Sequence, residues 1–228
     1  MKLNWKREIL PACLFVAALI AGVYYYPILP KVVPSHFGMG GQPNGWMSKT
    51  SFLLISLGQF AFIYLLLTFL PFIDPLKKKV APRYNVVLLF RDATLLFMSV
   101  MFLISLVAAR DGMLSVDLPQ ILVGLVIAVL GNFTPKMPQN WFFGIRTPWA
   151  LSSEIVWKKT NILGGWLLTL SGIFWIVCAA LKLSIWIPLA LLIMVSVWTY
   201  IYSYLLYKRL ERSGKLTEEK RSDEIGNP

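Results

Sequence analysis

Six apolar blocks, at residues 9–26, 50–73, 85–109, 118–133, 160–181 and 184–207, decide what this chain can fold into. At 1.5 Å of rise per residue they are about 24–38 Å long, against a bilayer hydrocarbon core of about 30 Å. No water reaches that core, so every backbone N–H and C=O in it must be paired within a helix or a closed barrel. The blocks lack the strict two-residue alternation of barrel strands, and each predicts a helix. Composition agrees: 57% of residues are apolar and 14% charged, where soluble domains carry about 45–50% and about 25%. The mean hydropathy is +0.65. The expected fold class is an all-α membrane protein with six transmembrane helices. A soluble enzyme, a secreted disulfide scaffold and a disordered chain are excluded.

Lys2, Lys6 and Arg7 ahead of the first block have the look of a signal-peptide n-region. The apolar run is long, however, and ends in Tyr24-Tyr25-Tyr26-Pro27 without a small-x-small cleavage site, so it is expected to be a retained helix. Orientation follows from the basic residues in alternate connections. One set holds Lys2, Lys6 and Arg7; Lys77, Lys78, Lys79 and Arg83; Lys136, Arg146, Lys158 and Lys159; and Lys208, Arg209, Arg212, Lys215, Lys220 and Arg221, seventeen in all. The other holds Lys31, Lys49, Arg110 and Lys182. Seventeen against four predicts both termini on the cytoplasmic side (N-in, C-in).

The net charge of +11 sits mainly between the apolar blocks, where topology signals and contacts to anionic lipids belong. Membrane lipids are therefore expected partners, and direct nucleic-acid binding is not. Trp5, Tyr24 to Tyr26, Trp46, Tyr84, Trp157, Trp186 and Tyr207 fall at block ends, as interfacial belts require. Cys13 and Cys178 would lie at opposite depths, beyond the separation of about 4.4–6.8 Å that a disulfide spans. The only histidine, His36, has no carboxylate cluster near it, so neither a metal site nor a cofactor is expected.

Two connections are longer than turns. The outside loop, residues 27–49, carries Pro27, Pro30 and Pro34, then Gly38, Gly40, Gly41, Pro43, Asn44, Gly45 and Trp46. Its prolines predict extended, polyproline-like backbone and its glycines tight turns. The inside loop, residues 134–159, reads TPKMPQNWFFGIRTPWALSSEIVWKK. The expected organisation is a three-helix half over residues 1–110, a second over 111–210, and a polar tail over 211–228.

Within the inside loop, Thr147-Pro148 fits a helix N-cap followed by proline at the first helical position. A helix starting there would carry Trp149, Ile155, Val156 and Trp157 along the membrane surface. The fourth block is only about 24 Å long, beginning near Asp117 and Pro119 and ending at Gly131-Asn132. Asn132, Thr134 and Lys136 should then lie at the hydrocarbon boundary, either lining a protein-walled polar vestibule or accommodated by bilayer thinning and lysine snorkelling. Arg91 and Asp92 lie about two turns inside the third block. Arg91 has the length to snorkel; Asp92 does not and needs a partner, for which Arg146 and Lys136 are the candidates.

Gly131-Asn132, Pro135-Lys136, Asn140 and Gly144-Ile145-Arg146-Thr147-Pro148-Trp149, with Trp157 and Asn161 downstream, resemble the SdpI family of bacterial membrane immunity proteins. Leu29-Pro30, Pro34, His36, Asn44, Trp46 and Lys49 resemble the N-terminal domain of unknown function found in the same proteins. The resemblance implies a multi-pass protein of the bacterial cell membrane that confers resistance to a secreted peptide toxin. It also implies a signalling role in which a cytoplasmic DNA-binding autorepressor is held at the membrane. Many relatives carry His-Arg where this chain has Asn161-Ile162, so a basic pair has no counterpart here. A toxin arriving from outside would meet residues 27–49 first, while a cytoplasmic partner reaches only the inside loops and tail.

The residues leave a second class open, a small transporter or lipid-handling protein. Pro30-Lys31, Pro34, Phe37-Gly38, Pro43 and Trp46 echo Pro135-Lys136, Pro138, Phe143-Gly144, Pro148 and Trp149. Each loop joins the first two helices of a three-helix half, the arrangement of a 3+3 inverted repeat. No nucleophile-base set, paired carboxylates, HExxH or phosphate loop is present, so the protein is not expected to be an enzyme.

Overall fold

A computed structural model describes residues 1, 4–38 and 40–219. Lys2, Lys220 and Arg221 of the orientation count, and the end of the tail, lie outside the described residues. Six helices are long and apolar enough to cross a membrane: α1 (Trp5–Tyr25), α2 (Lys49–Ile73), α4 (Tyr84–Asp111), α5 (Asp117–Phe133), α7 (Glu154–Ala180) and α8 (Trp186–Arg212). The chain is therefore a multi-pass all-α membrane protein. Short helices α3 (Lys77–Val80) and α6 (Pro148–Ser152) lie in the connections. Single turns of 3₁₀ helix prolong α5 over Thr134–Lys136 and join α3 to α4 over Ala81–Arg83.

Polar side chains set the helix starts. Asn4 accepts from Lys6 N at 3.1 Å and Ser48 from Ser51 N at 3.1 Å, each satisfying a backbone donor the first turn leaves free. At its far end α4 stops at Gly112, whose φ of +73° closes the helix through a bond to Ala108 O.

The connection at residues 27–49 departs from the polyproline expectation. It is a β-hairpin of β1 (Val32–Phe37) and β2 (Pro43–Ser48), antiparallel, with Val33 opposite Met47 and Pro34 opposite Trp46. Prolines fit because both strands of a two-stranded ribbon are edges, with unpaired N–H positions to spare. Val33, fully buried, joins Leu29, Phe52, Phe102 and Leu106 in a core at this end of the bundle. The tip reaches the link between α4 and α5, where Gly41 O accepts from Leu114 N at 3.2 Å.

Among the first three spans α4 packs against both α1 and α2, and it continues onto α5; among the last three α7 lies between α5 and α8. Different spans are thus central in the two sets. The closest approach is α5 on α7, where Gly124, Ala128 and Gly131 face Gly165 and Gly172. A Cβ on Gly172 would stand 2.4 Å from Ala128 N, and one on Gly124 2.8 Å from Gly172 O. Lipid tails compete with apolar side chains for the same contacts, so helices in a bilayer associate where small residues let backbones touch.

The surface helix expected to run from Thr147 through Trp157 is instead two helices. Thr147 caps α6, accepting from Ala150 N at 3.0 Å, but α6 ends at Ser152. Ser153, in extended conformation, then caps α7 by accepting from Val156 N at 3.2 Å. Ile155, Val156 and Trp157 consequently belong to the fifth span, which begins six residues before its apolar block. Two caps six residues apart make a corner that apolar periodicity alone does not reveal.

Gly172→Ile should destabilise the bundle by about 3 kcal/mol, because the new side chain meets backbone. Gly58→Ile, where nothing lies within 4 Å, should leave stability unchanged. Detergent thermal-shift midpoints of the two variants check this; equal midpoints would deny the α5–α7 seam its role.

Candidate functional site

The loop over residues 134–159 is a packed knot whose side-chain amides serve its own backbone. Asn140, fully buried, accepts from Phe142 N at 2.8 Å and Phe143 N at 2.6 Å, and donates to Pro138 O at 2.7 Å and Phe143 O at 3.0 Å. Gln139 donates to Ala150 O and Leu151 O, both at 2.9 Å, and accepts from Lys79 Nζ at 2.9 Å. The Trp157 indole donates to Met137 O at 3.0 Å. Asp74 accepts from Trp141 N at 2.9 Å, so the connection before α3 also holds the loop. Irregular backbone here is buried in protein and satisfied by it.

Asn161 supplies the joint between loop and fifth span. Its Oδ1 accepts from Ile145 N at 2.8 Å, while Nδ2 donates to Ile145 O at 3.3 Å and Trp157 O at 3.0 Å. This pincer leaves no room for a side chain at position 144. Gly144 has φ +91°, and a Cβ on it would lie 2.6 Å from Asn161 Oδ1. In this chain position 161 is a neutral backbone receptor. Nearby, the Thr147 and Ser203 hydroxyls meet at 2.5 Å, Trp149 stacks edge-on against Tyr200 with centroids 5.1 Å apart, and Pro135 packs onto Gly165.

Of the motif's polar side chains, Asn140, Thr147, Trp157 and Asn161 are turned inward, while Asn132, Lys136 and Arg146 are exposed, as is the flanking Trp141. Lys136 donates to Asn132 at 2.9 Å. Arg146 donates to Trp141 O at 2.7 Å. Neither cation reaches Asp92, so the pairing expected from sequence does not occur.

Asp92 pairs instead with its neighbour. Arg91 does not snorkel: it is 0% exposed, with its guanidinium 2.9 Å from Asp92 Oδ1. Nη1 donates to both carboxylate oxygens of Glu8, at 3.0 and 2.9 Å, and to Thr68 Oγ1 at 3.2 Å; Nη2 donates to Arg7 O at 2.9 Å. Tyr64 OH completes the cluster by donating to Glu8 at 2.9 Å. One side chain thus pins α4 to α1 and α2. Sequence reading missed Glu8, Tyr64 and Thr68; the available signal was a lone carboxylate in the first turn of one span at the depth of a lone guanidinium in another.

At the opposite end, Lys49 donates to Tyr26 O at 2.8 Å and Leu29 O at 3.2 Å, with its ammonium 4.5 Å from the Tyr26 ring centroid. It closes the base of the hairpin. The His36 ring and the Asn44 amide are hydrogen-bonded across the strands. Pro34 is buried, Pro30 is exposed, and Trp46 projects with 57% of its surface open.

These features define a multi-pass cell-membrane protein with a β-hairpin cap at one end and a side-chain-stapled loop at the other. Residues 136–204, from that loop through most of α8, match the SdpI/YfhL protein family. Residues 13–60, from within α1 through the hairpin to the middle of α2, match a domain of unknown function, DUF1648. The chain is 26% identical over 211 residues to the immunity protein SdpI of Bacillus subtilis (strain 168), covering 91% of this chain and 99% of that protein. No solved structure matches.

Removing one member of a buried ion cluster strands the others, at a cost of about 3–5 kcal/mol. Glu8→Ala should therefore abolish most folded protein, whereas Glu8→Asp should retain more of it. Arg146→Ala should not reproduce the Glu8→Ala loss. Yields of monodisperse protein after membrane extraction measure all three.

Proposed function

We propose that this protein is an integral-membrane immunity protein, protecting the cell that carries it from a secreted antimicrobial peptide. The observation that carries this reading is similarity along nearly the whole of both chains to a protein named for immunity. The distribution of charge supports an orientation with both termini in the cytoplasm, which puts the hairpin outside. On this reading residues 1–110 form the toxin-facing half and 111–210 the half bearing the cytoplasmic loop, with the tail after 210 inside.

The hairpin offers the peptide a small rigid surface. Trp46 is its exposed aromatic anchor, with the exposed His36–Asn44 pair further along the strands and Pro30 exposed ahead of β1. Pro34 and Lys49 act beneath it, holding the strands on the bundle. Exposed aromatic side chains on rigid elements are the usual centres of binding energy. The finer part of the reading concerns the inside. The loop there is rigid enough to serve as a platform, and Trp141 with Lys136 faces outward from it, where a DNA-binding repressor in the cytoplasm would be held.

Deleting the gene should sensitise the cell to a peptide secreted by its own or a sibling strain, and the wild-type copy should restore protection. Killing unchanged by deletion would end the immunity reading. Trp46→Ala should weaken protection by about tenfold at an unchanged membrane level. A reporter fused after residue 219 should be active only in its cytoplasmic form; an exported tail would turn the proposed orientation over.

A further inference from the structure

The GIRT segment carries one side chain whose chemistry the knot does not consume. A guanidinium has five N–H donors, and Arg146 places one bond, to Trp141 O; among the described residues it has no carboxylate partner. It stands at the mouth of a pocket of about 190 Å³ between the loop, α7 and α8. Ile145, Thr147, Leu168, Val195 and Tyr200 contribute to the walls. The Thr147 hydroxyl is already engaged with Ser203 and Ala150 N, which leaves Arg146 as the recognising cation.

The pocket is graded along the membrane normal. Arg146 lies at the bundle end where the connections carry most of the basic residues. Leu168 lies seven residues beyond Asn161, the α7 residue that holds Ile145, about 10 Å further in at 1.5 Å per residue. Ser196 and Tyr200 on its α8 flank are exposed, so entry is lateral, from the bilayer. A cationic mouth with an apolar floor reached through lipid suits an amphiphile with an anionic head and a hydrocarbon chain. A soluble anion would have no use for Leu168 and Val195, and an uncharged chain none for Arg146.

We propose that this pocket binds one anionic phospholipid, its phosphate on the Arg146 guanidinium and a stretch of acyl chain along Leu168 and Val195. Arginine suits the role because its planar fork meets two phosphate oxygens at once. Basic pockets between helices at one leaflet are where anionic head groups bind. The site is independent of any toxin and of the hairpin.

The test is native mass spectrometry of the full-length protein, delipidated in detergent and titrated with phosphatidylglycerol, phosphatidylcholine or inorganic phosphate. Wild type should retain one phosphatidylglycerol, with phosphatidylcholine at least about tenfold weaker. Arg146→Gln should lose about the same factor. Val195→Phe, which fills the floor and leaves both Arg146 and the loop in place, should lose retention too, and it decides the matter if Arg146→Gln does not fold. Equal retention of phosphatidylglycerol by wild type and Val195→Phe would overturn the proposal. So would inorganic phosphate at millimolar concentration competing the lipid away, which would make this a soluble-anion site.

Discussion

Backbone that leaves a helix at the edge of hydrocarbon has no water to turn to, and this constraint shapes the region around residues 134–153. Three amides, Gln139, Asn140 and Asn161, and one carboxylate, Asp74, stand in for water and close the polar groups of a segment too irregular to close its own. Each uses both ends of its functional group or both carboxylate oxygens. The loop is consequently a fixed body, and its apolar side chains can join Val80, Val87, Trp157 and Leu210 in one core.

The two sets of spans are held by unlike forces. The first three are tied by Arg91, which trades a large desolvation cost for contacts to α1, α2 and its own neighbour Asp92. The last three rely on absence of side chains, with α5 and α7 meeting backbone to backbone at Gly124, Gly131, Gly165 and Gly172. An ion cluster is directional and fails when one member is lost; a glycine seam is a matter of shape and fails when volume is added. The α4–α5 contact joins the two regimes.

Much of the fold was legible because the bilayer reduces it to length and hydropathy. The six spans, the short fourth helix and the Thr147 cap followed from residue pattern alone. The hairpin was not legible, since six proline and glycine positions between Val32 and Ser48 mask a two-residue alternation that shows only at Val32, Val33 and in β2. The Asp92 partner was misplaced because loop cations are conspicuous in a sequence and Arg91 has the length to snorkel away; helix packing instead buries Arg91 against Glu8, in the first turn of a different span, and leaves it beside Asp92. The candidate residues of the loop at 134–159 stand together in the sequence, but their division into inward staples and outward groups depends on the direction of each side chain. No spacing rule distinguishes Asn140, spent on its own backbone, from Arg146, which keeps most of its donors.

The grip of Gly41 on Leu114 has a further consequence. The hairpin grows from the first pair of spans, yet its tip is fastened to the strap that leads from the third span into the fourth. Gly41 has φ +77°, and a Cβ there would come within 2.1 Å of Leu114 O, so the clasp is main chain on main chain, with no slack for a side chain to take up. Both groups of helices therefore share a single lid, and the angle between them is set at the rim as well as along their length.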